Sequence, residues 1–542
     1  MGAPGAAGPA PATGAVTFSD RSPVRVGQAC GMCLVGVEGV AVTVECDISR
    51  GLPGMSIGGL GDTAVNQARD RVRSAMINSG LAWPKSRIVM SLSPASLPKS
   101  GSGFDLPMVL AILSAEGAVR DGAPGSDPET TVVVGELGLT GEVRPVPGVL
   151  PMLLAARDRG TTRAAVPHGN AAEAARVTGM DITGLDHLRQ LLPWVHGAFH
   201  APVGEIARGA APEQRGATDG VPDLGDISGQ PEARRALEVA AAGGHHLGLN
   251  GPPGSGKSML AERLPGILPP LAGAERTETA AVHSVAAELG DLAAVWRGDR
   301  PFVAPHPSLT LPALTGGGAG RVRPGAASLA HNGVLFLDEA PEIRREVLEG
   351  LRTPMDSGTV ALSRARGTVV LPARFQLVLA SNPCPCGAQD PADCRCRGGV
   401  RDRYLRRISG PVRARIALTA RTPTARLAVL GAGASTAESS ATVRDRVLAA
   451  RDRARRRWGG VNSRVAGTTL RRDHPAQDAA MLLLQEHLRA GELTQRGVDR
   501  ALRVAWTLAD LAGEDRPGIA EVMDAVELFT TGVDDGGERG TL

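Results

Sequence analysis

The sequence predicts a multidomain α/β protein that ends in helices, and three observations carry that prediction. Residues 21–200 alternate β-like runs ("LVGVEGVAVTVECDI", "RIVMSLSPA", "TVVVGELGL") with helical ones ("AVNQARDRVRSAMINSG", "FDLPMVLAILSAEGAV", "LPMLLAARDRG"). Residues 223–425 repeat the alternation around a glycine-rich loop that opens a helix-like segment. Residues 441–542 are helical in pattern as far as about Phe529. The stretch 201–222, "APVGEIARGAAPEQRG" onward, is polar and rich in Gly, Pro and Ala, and reads as a linker. Residues 426–440, with "GAGASTAESS", read as a spacer, and 1–20 as a disordered Ala/Gly/Pro tail.

Composition narrows the class. A chain of 542 residues, 42% apolar and 21% charged with a net charge of +3, has the balance of a soluble globular protein. No apolar run approaches the ~18–20 residues that span a bilayer. The start lacks the basic and apolar regions of a signal peptide. Seven cysteines, an odd number without a leader, suggest reduced thiols, so the expectation is a cytoplasmic protein without a membrane partner. Only Lys85, Lys99 and Lys257 are lysines among the 59 basic residues, a bias that fits a GC-rich genome.

The chemistry concentrates in "LGLNGPPGSGKSML", residues 247–260, which matches G-x-x-x-x-G-K-[ST] between an apolar run and a helix. Gly251, Pro252, Pro253, Gly254, Ser255, Gly256, Lys257, Ser258 and Met259 form the expected ATP-binding loop. Cβ atoms at the three glycines would obstruct backbone N–H groups turning toward phosphate oxygens. Lys257 is expected on the β/γ-phosphates and Ser258 on Mg²⁺. A second element, "NGVLFLDEAPE" (332–342), ends an apolar strand in Asp338 and Glu339: Asp338 for Mg²⁺, Glu339 as general base toward the attacking water. A third, "FQLVLASNPCPCG", ends in Asn382, a polar side chain placed to sense the γ-phosphate.

In that order the three elements point to an AAA+ ATPase. "GQPEARRALEVAAAGGHHLGLNGPPGSGKS", "RPGAASLAHNGVLFLDEAPE", "ARFQLVLASNPCPCG", "RYLRRISGP" and "GLPGMSIGGLGDTAVNQARDRVRSA" resemble the YifB/ComM family of magnesium-chelatase-like AAA+ ATPases. The resemblance implies a homo-oligomeric, hexameric ring motor using ATP and Mg²⁺. The implied activity is that of a DNA helicase driving branch migration in recombination or DNA uptake. It also implies an arginine finger at Arg415, in "SGPVRARIAL", where Ala414 and Ala417 replace the family's two acidic neighbours. Arg496, in "LTQRGVDRALRVAWTLADLAG", takes the place of a second sensor on a helical lid.

The stretch "LPKSGSGFDLP" (97–107) resembles the nucleophile loop of Lon-type proteases, and "VVGELGLTGEVRPVPGVLPMLLAARDRG" the segment that supplies their lysine. The nucleophile position falls on Gly103, with Ser102 one place early, and the lysine position on Leu150. A Ser-Lys dyad needs an amine beside the hydroxyl, which Leu150 lacks. Ser96-x-x-Lys99 has another hydrolase spacing, but Pro98 opposes the shared helix turn it needs. The N-terminal domain is therefore expected to be Lon-protease-like but inactive, and available to a protein partner.

Cys384, Cys386, Cys394 and Cys396 form two C-x-C pairs that could bind structural Zn²⁺, remain reduced thiols or act as a redox loop. Cys30-x-x-Cys33 precedes a β-run, which favours buried cysteines. Nucleic acid could meet "VRDRVLAARDRARRRWGGVNSRVAGTTLRR" (443–472), with Arg455, Arg456 and Arg457 as candidates, or this could be a solvated helix face. The other candidates are Arg364 and Arg366 at the tip of a β-hairpin, "DSGTVALSRARGTVVLPARF", which by resemblance enters a ring's pore. With 2% aromatics, DNA binding would be electrostatic and salt-sensitive rather than built on base stacking. A chelatase-type or chaperone-type ATPase that remodels proteins is the alternative.

Overall fold

In the computed structural model the described residues are 26–59, 63–97, 99, 103–205, 222–287, 289–318, 322–364, 367–388, 393–397, 399–423 and 437–530. Ser102, Arg366, residues 206–221 of the expected linker and residues 1–20 lie outside them. Among the described residues, no helix is long and apolar enough to cross a membrane.

The first β-run is two strands. Gly36, at a φ of +67°, lets the chain reverse between β1 (Gly27–Val35) and β2 (Glu38–Ser49). With β3 (Gly54–Gly58) and β4 (Arg87–Ser93) they form a sheet of order β1-β2-β4-β3, in which only β3 and β4 run parallel. Helices Thr63–Asn78 and Asp105–Ala115 bury their apolar residues with this sheet. Asp105 is fully buried, yet its carboxylate is satisfied by Arg71 Nε and Nη2 at 2.9 and 3.0 Å and by the Leu137 N–H at 3.0 Å. "TVVVGELGL" divides into β5 (Thr131–Val133) and β6 (Glu136–Leu137), the latter paired with β7 (Val143–Arg144). A parallel sheet β5-β8-β9 is completed by Arg163–Pro167 (β8) and Asp181–Leu185 (β9).

The amino-terminal block is joined to the centre through a buried polar contact. Glu173 accepts from Ser284 Oγ at 2.5 Å, Asn170 Nδ2 at 2.6 Å and the Leu150 N–H at 3.3 Å. Ser284 belongs to helix Gly273–Ala286, which packs on helix Val149–Asp158.

The centre is a five-stranded parallel sheet of order β11-β14-β17-β10-β18, from Phe302–Val303 (β11), Val334–Leu337 (β14), Gln376–Ser381 (β17), Leu247–Asn250 (β10) and Leu418–Arg421 (β18). β14 and the first five residues of β17 are buried, as expected of a parallel sheet covered on both faces. Two short ladders lie beside it: β12 (Gly316–Gly317) with β13 (Arg323–Pro324), and the hairpin β15 (Thr359–Arg364) with β16 (Gly367–Pro372). Gly36 meets that hairpin: a Cβ there would lie 2.9 Å from Val369 Cγ1.

Helices Ser440–Trp458, Asp478–Arg489, Gln495–Ala512 and Ile519–Thr530 share one core with the central sheet and helix Pro231–Gly243. Arginines of the first of these helices add polar ties to that shared core. Arg451 donates twice to Ala241 O (2.8 and 2.6 Å) and Arg453 to Asp510 O (2.6 Å), each a carbonyl in the last turn of another helix. Arg446 pairs with Glu238 and Glu438. Arg457 turns inward: it pairs with fully buried Asp510 at 2.9 Å and stacks on Trp506 and Trp458. It is therefore not on the outer basic face the sequence suggested, where Arg455 and Arg456 remain exposed, Arg456 beside Asp452.

Arg457→Ala should remove the cation facing the buried Asp510 carboxylate, leaving it the Asn462 Nδ2 bond at 2.8 Å, and cost about 3–5 kcal/mol. Arg456→Ala should leave stability unchanged. Urea melts of the two variants read the difference.

Candidate nucleotide site

The carboxyl ends of β10, β17 and β14 lie side by side, and the expected nucleotide residues follow directly from them. The register sets Asn250 against Ser381 and Leu379 against Leu337, so the phosphate loop, Asn382 and Asp338 emerge at one edge of the sheet. The Gly251 N–H continues the pairing to Ser381 O at 3.2 Å. Helix Lys257–Ile267 then points its free amino-terminal N–H groups at the loop, a favourable end for anions.

Lys257 is the hub. Its buried ammonium donates to Gly251 O at 2.6 Å, Pro252 O at 2.9 Å and Asn382 Oδ1 at 3.0 Å. Burial pulls its pKa below the lysine range, against the opposing pull of the Asp338 and Glu339 carboxylates. Ser258 Oγ donates to Asp338 Oδ2 at 3.0 Å, so a hydroxyl and a carboxylate already meet where a hard cation would need both. The other Asp338 oxygen accepts the Glu339 N–H at 2.8 Å. Glu339 is exposed and adopts a φ of +47°, a left-handed conformation that costs a non-glycine residue about 1–3 kcal/mol.

The glycines divide their work differently from the expectation. Gly254 and Gly256 have φ of +75° and +84°, and no neighbouring heavy atom lies within 3.5 Å of a Cβ built on either. Gly251 is needed for close packing: a Cβ would lie 2.0 Å from Thr422 Oγ1. Two braces were not visible in the sequence. Ser255 Oγ bonds Thr422 Oγ1 at 2.8 Å, and Gln230 Nε2 donates to Ser255 O at 2.6 Å. Pro253 and Met259 are exposed at the loop's rim.

Arg415 lies elsewhere. It borders a cleft of about 490 Å³ shared with Arg374, Arg464, Arg500 and Arg503, beside Gly244–His246 at the amino end of β10. The phosphate loop leaves the carboxyl end of that strand. Four strand residues alone separate the two by roughly 13 Å, so Arg415 does not reach the phosphate loop of its own chain. Its guanidinium is held by Asp356, with Nε to Oδ1 at 2.7 Å, and by Pro411 O at 2.7 Å. Asp356 thus supplies the carboxylate that Ala414 and Ala417 do not. Arg496 is exposed, whereas Arg500, one helical turn on, is buried and donates to Ala414 O at 2.7 Å and Ile416 O at 3.2 Å. Arg500 therefore ties helix Gln495–Ala512 to the Arg415 segment, and no local signal in the sequence marks it.

The protease-like positions are not assembled among the described residues. Leu150 is buried in an apolar cluster with Val149 and Leu153. Ser96 is exposed, while Lys99 is fully buried with its amine on Pro94 O. Cys30 and Cys33 are buried free thiols on β1, and burial pushes the Cys33 thiol up to about 11. Arg364 is half-buried at the end of β15. The sulfurs of Cys384, Cys386, Cys394 and Cys396 all lie within 4.8 Å of one another.

Comparison with known proteins gives the family. Magnesium chelatase, subunit ChlI, matches residues 223–430; the related ChlI pattern matches 44–170, and the ChlI C-terminal pattern 437–528. An uncharacterized protein of Mycobacterium tuberculosis is 48% identical over 514 residues, covering 94% of this chain and 99% of its own. YifB of Salmonella typhimurium is 41% identical over 91% of this chain and 94% of its own. The competence protein ComM of Haemophilus influenzae is 40% identical over 90% and 95%. A shorter similarity, 30% over 160 residues, links 28% of this chain to 19% of the Lon protease of Rhizobium meliloti. The chain belongs to the YifB/ComM family of magnesium-chelatase-like AAA+ proteins.

Proposed function

We propose that this protein is an ATP-hydrolysing ring motor that translocates or branch-migrates DNA. The observation that carries the ATPase half is the Lys257 amine held between two loop carbonyls and Asn382 Oδ1. It is a cation desolvated at the mouth of a loop, ready to exchange one set of oxygens for phosphate oxygens. Ser258 and Asp338 would hold Mg²⁺, which neutralises phosphate charge. Glu339 would take the proton of the attacking water, and Asn382 would orient that water.

The ring half rests on Arg415. An arginine at the opposite end of the strand from its own phosphate loop can complete only a neighbour's site, in a head-to-tail contact that closes into a ring. A hexamer is the ring size we infer, with helix Gln495–Ala512 acting as a lid. Arg364 and Arg366 would meet a threaded strand at the hairpin tip, and Arg455 and Arg456 would add a phosphate-tracking face. ComM is named for competence, which favours DNA over a protein substrate. The protease-like block would serve as a docking platform without peptidase activity.

ATP hydrolysis measured with no DNA, single-stranded DNA and a four-way junction tests the reading, with Lys257→Ala as the blank. Junction-stimulated turnover that falls to background in Lys257→Ala and weakens steeply with salt is expected. Robust turnover indifferent to every DNA would replace the DNA motor with a protein remodeller.

A further inference from the structure

The four clustered cysteines are placed to act on the phosphate loop. Cys384 follows Asn382 by two residues, and a turn closes from the Gly387 N–H to Cys384 O at 3.0 Å. Gly387, at a φ of +77°, lies against the loop: a Cβ there would be 2.8 Å from Pro253 Cδ and 3.0 Å from Cγ. The segment returns through helix Val400–Leu405, whose buried Tyr404 hydrogen-bonds the backbone of Asn382. The described parts of this segment thus meet the phosphate loop at Pro253 and the backbone of Asn382, the residue whose side chain holds Lys257.

Among the described residues, apolar burial does little to seat this segment. Among its described residues only Cys384 is buried. The thiols instead have the spacing of a metal shell. A tetrahedron of Zn–S bonds of about 2.3 Å has edges of about 3.8 Å, and the Cys386–Cys394 and Cys394–Cys384 sulfurs are each 3.7 Å apart. Cys384 and Cys386 are nearer, at 2.9 Å, so an ion would open that pair by about 0.9 Å. A set of four sulfurs selects a soft ion such as Zn²⁺ over hard cations.

We propose that Cys384, Cys386, Cys394 and Cys396 hold one zinc ion, and that this ion seats the turn at Gly387 against Pro253, so that nucleotide binding depends on it. On binding, four thiols release four protons to solvent, and Arg395 and Arg397 in the same segment offset the resulting net charge of −2. The nucleotide half of the proposal rests on the ATPase reading above, whereas the metal half does not.

The test uses the full chain, with metal analysis, Co²⁺ substitution and titration of a fluorescent ATP analogue. One zinc per chain is expected in wild type, Lys257→Ala and Gly387→Ala, and none in the Cys394→Ser/Cys396→Ser double variant. Co²⁺ should give the visible spectrum of a four-thiolate tetrahedral site. Stripping zinc should weaken analogue binding about tenfold or more, with circular dichroism unchanged and binding restored by added Zn²⁺. Gly387→Ala keeps all four thiols, so it should retain zinc yet weaken binding, because its Cβ pushes the turn off Pro253. Wild type without zinc after growth in zinc-supplemented medium overturns the metal site. Unchanged analogue binding in both the stripped protein and Gly387→Ala overturns the coupling. Zinc-loaded wild type that binds no nucleotide overturns the ATPase reading and supports the four-thiolate site on its own.

Discussion

A buried ammonium must be surrounded by oxygens, and the candidate site is organised around meeting that demand for Lys257. Without partners the charge would cost several kcal/mol to bury. Gly251 O, Pro252 O and Asn382 Oδ1 supply them, which ties the phosphate loop to the neighbouring strand before any ligand arrives. The loop keeps its shape because Gly254 and Gly256 accept positive φ, and because Ser255 is braced by Thr422 and Gln230. Phosphate oxygens can then replace the carbonyls with little reorganisation, which is what an electrostatic site needs to act quickly.

The same parallel sheet separates two chemistries. Its carboxyl ends gather Lys257, Ser258, Asp338, Glu339 and Asn382, while the amino end of β10 borders Arg415 in an arginine-lined cleft. Asp356 and Arg500 position the Arg415 segment from two other parts of the chain. Movement of helix Gln495–Ala512 would therefore be felt at Arg415. This is a physical route by which one site's state could reach the next chain in a ring.

Much of the residue cluster at the candidate site was legible because its signals are local. A glycine-rich loop before a helix, Asp-Glu after an apolar strand and Asn after another each carry their meaning within a few residues. The blocks of alternating strands and helices were legible for the same reason, through periodicity. What could not be read depends on distant partners. Arg457 looked like a solvent-facing cation because Asp510, which buries it, lies 53 residues away. Asp356 replaces the acids missing at 414 and 417 from 59 residues upstream of Arg415. Arg500 resembles any other arginine on an amphipathic helix until its carbonyl acceptors are located. Gly251, read as making room for phosphate, proves to make room for Thr422.

Completion of each nucleotide site by the next chain, as proposed above, can be tested by mixing two variants. Arg415→Ala keeps an intact phosphate loop, and Lys257→Ala keeps an intact finger. If the finger acts between chains, an equimolar mixture should recover up to about a quarter of wild-type ATP turnover, the fraction of random neighbour contacts that join an intact loop to an intact finger. A mixture that stays at the background of the separate variants, or an Arg415→Ala protein that turns over ATP at the wild-type rate, would contradict the account.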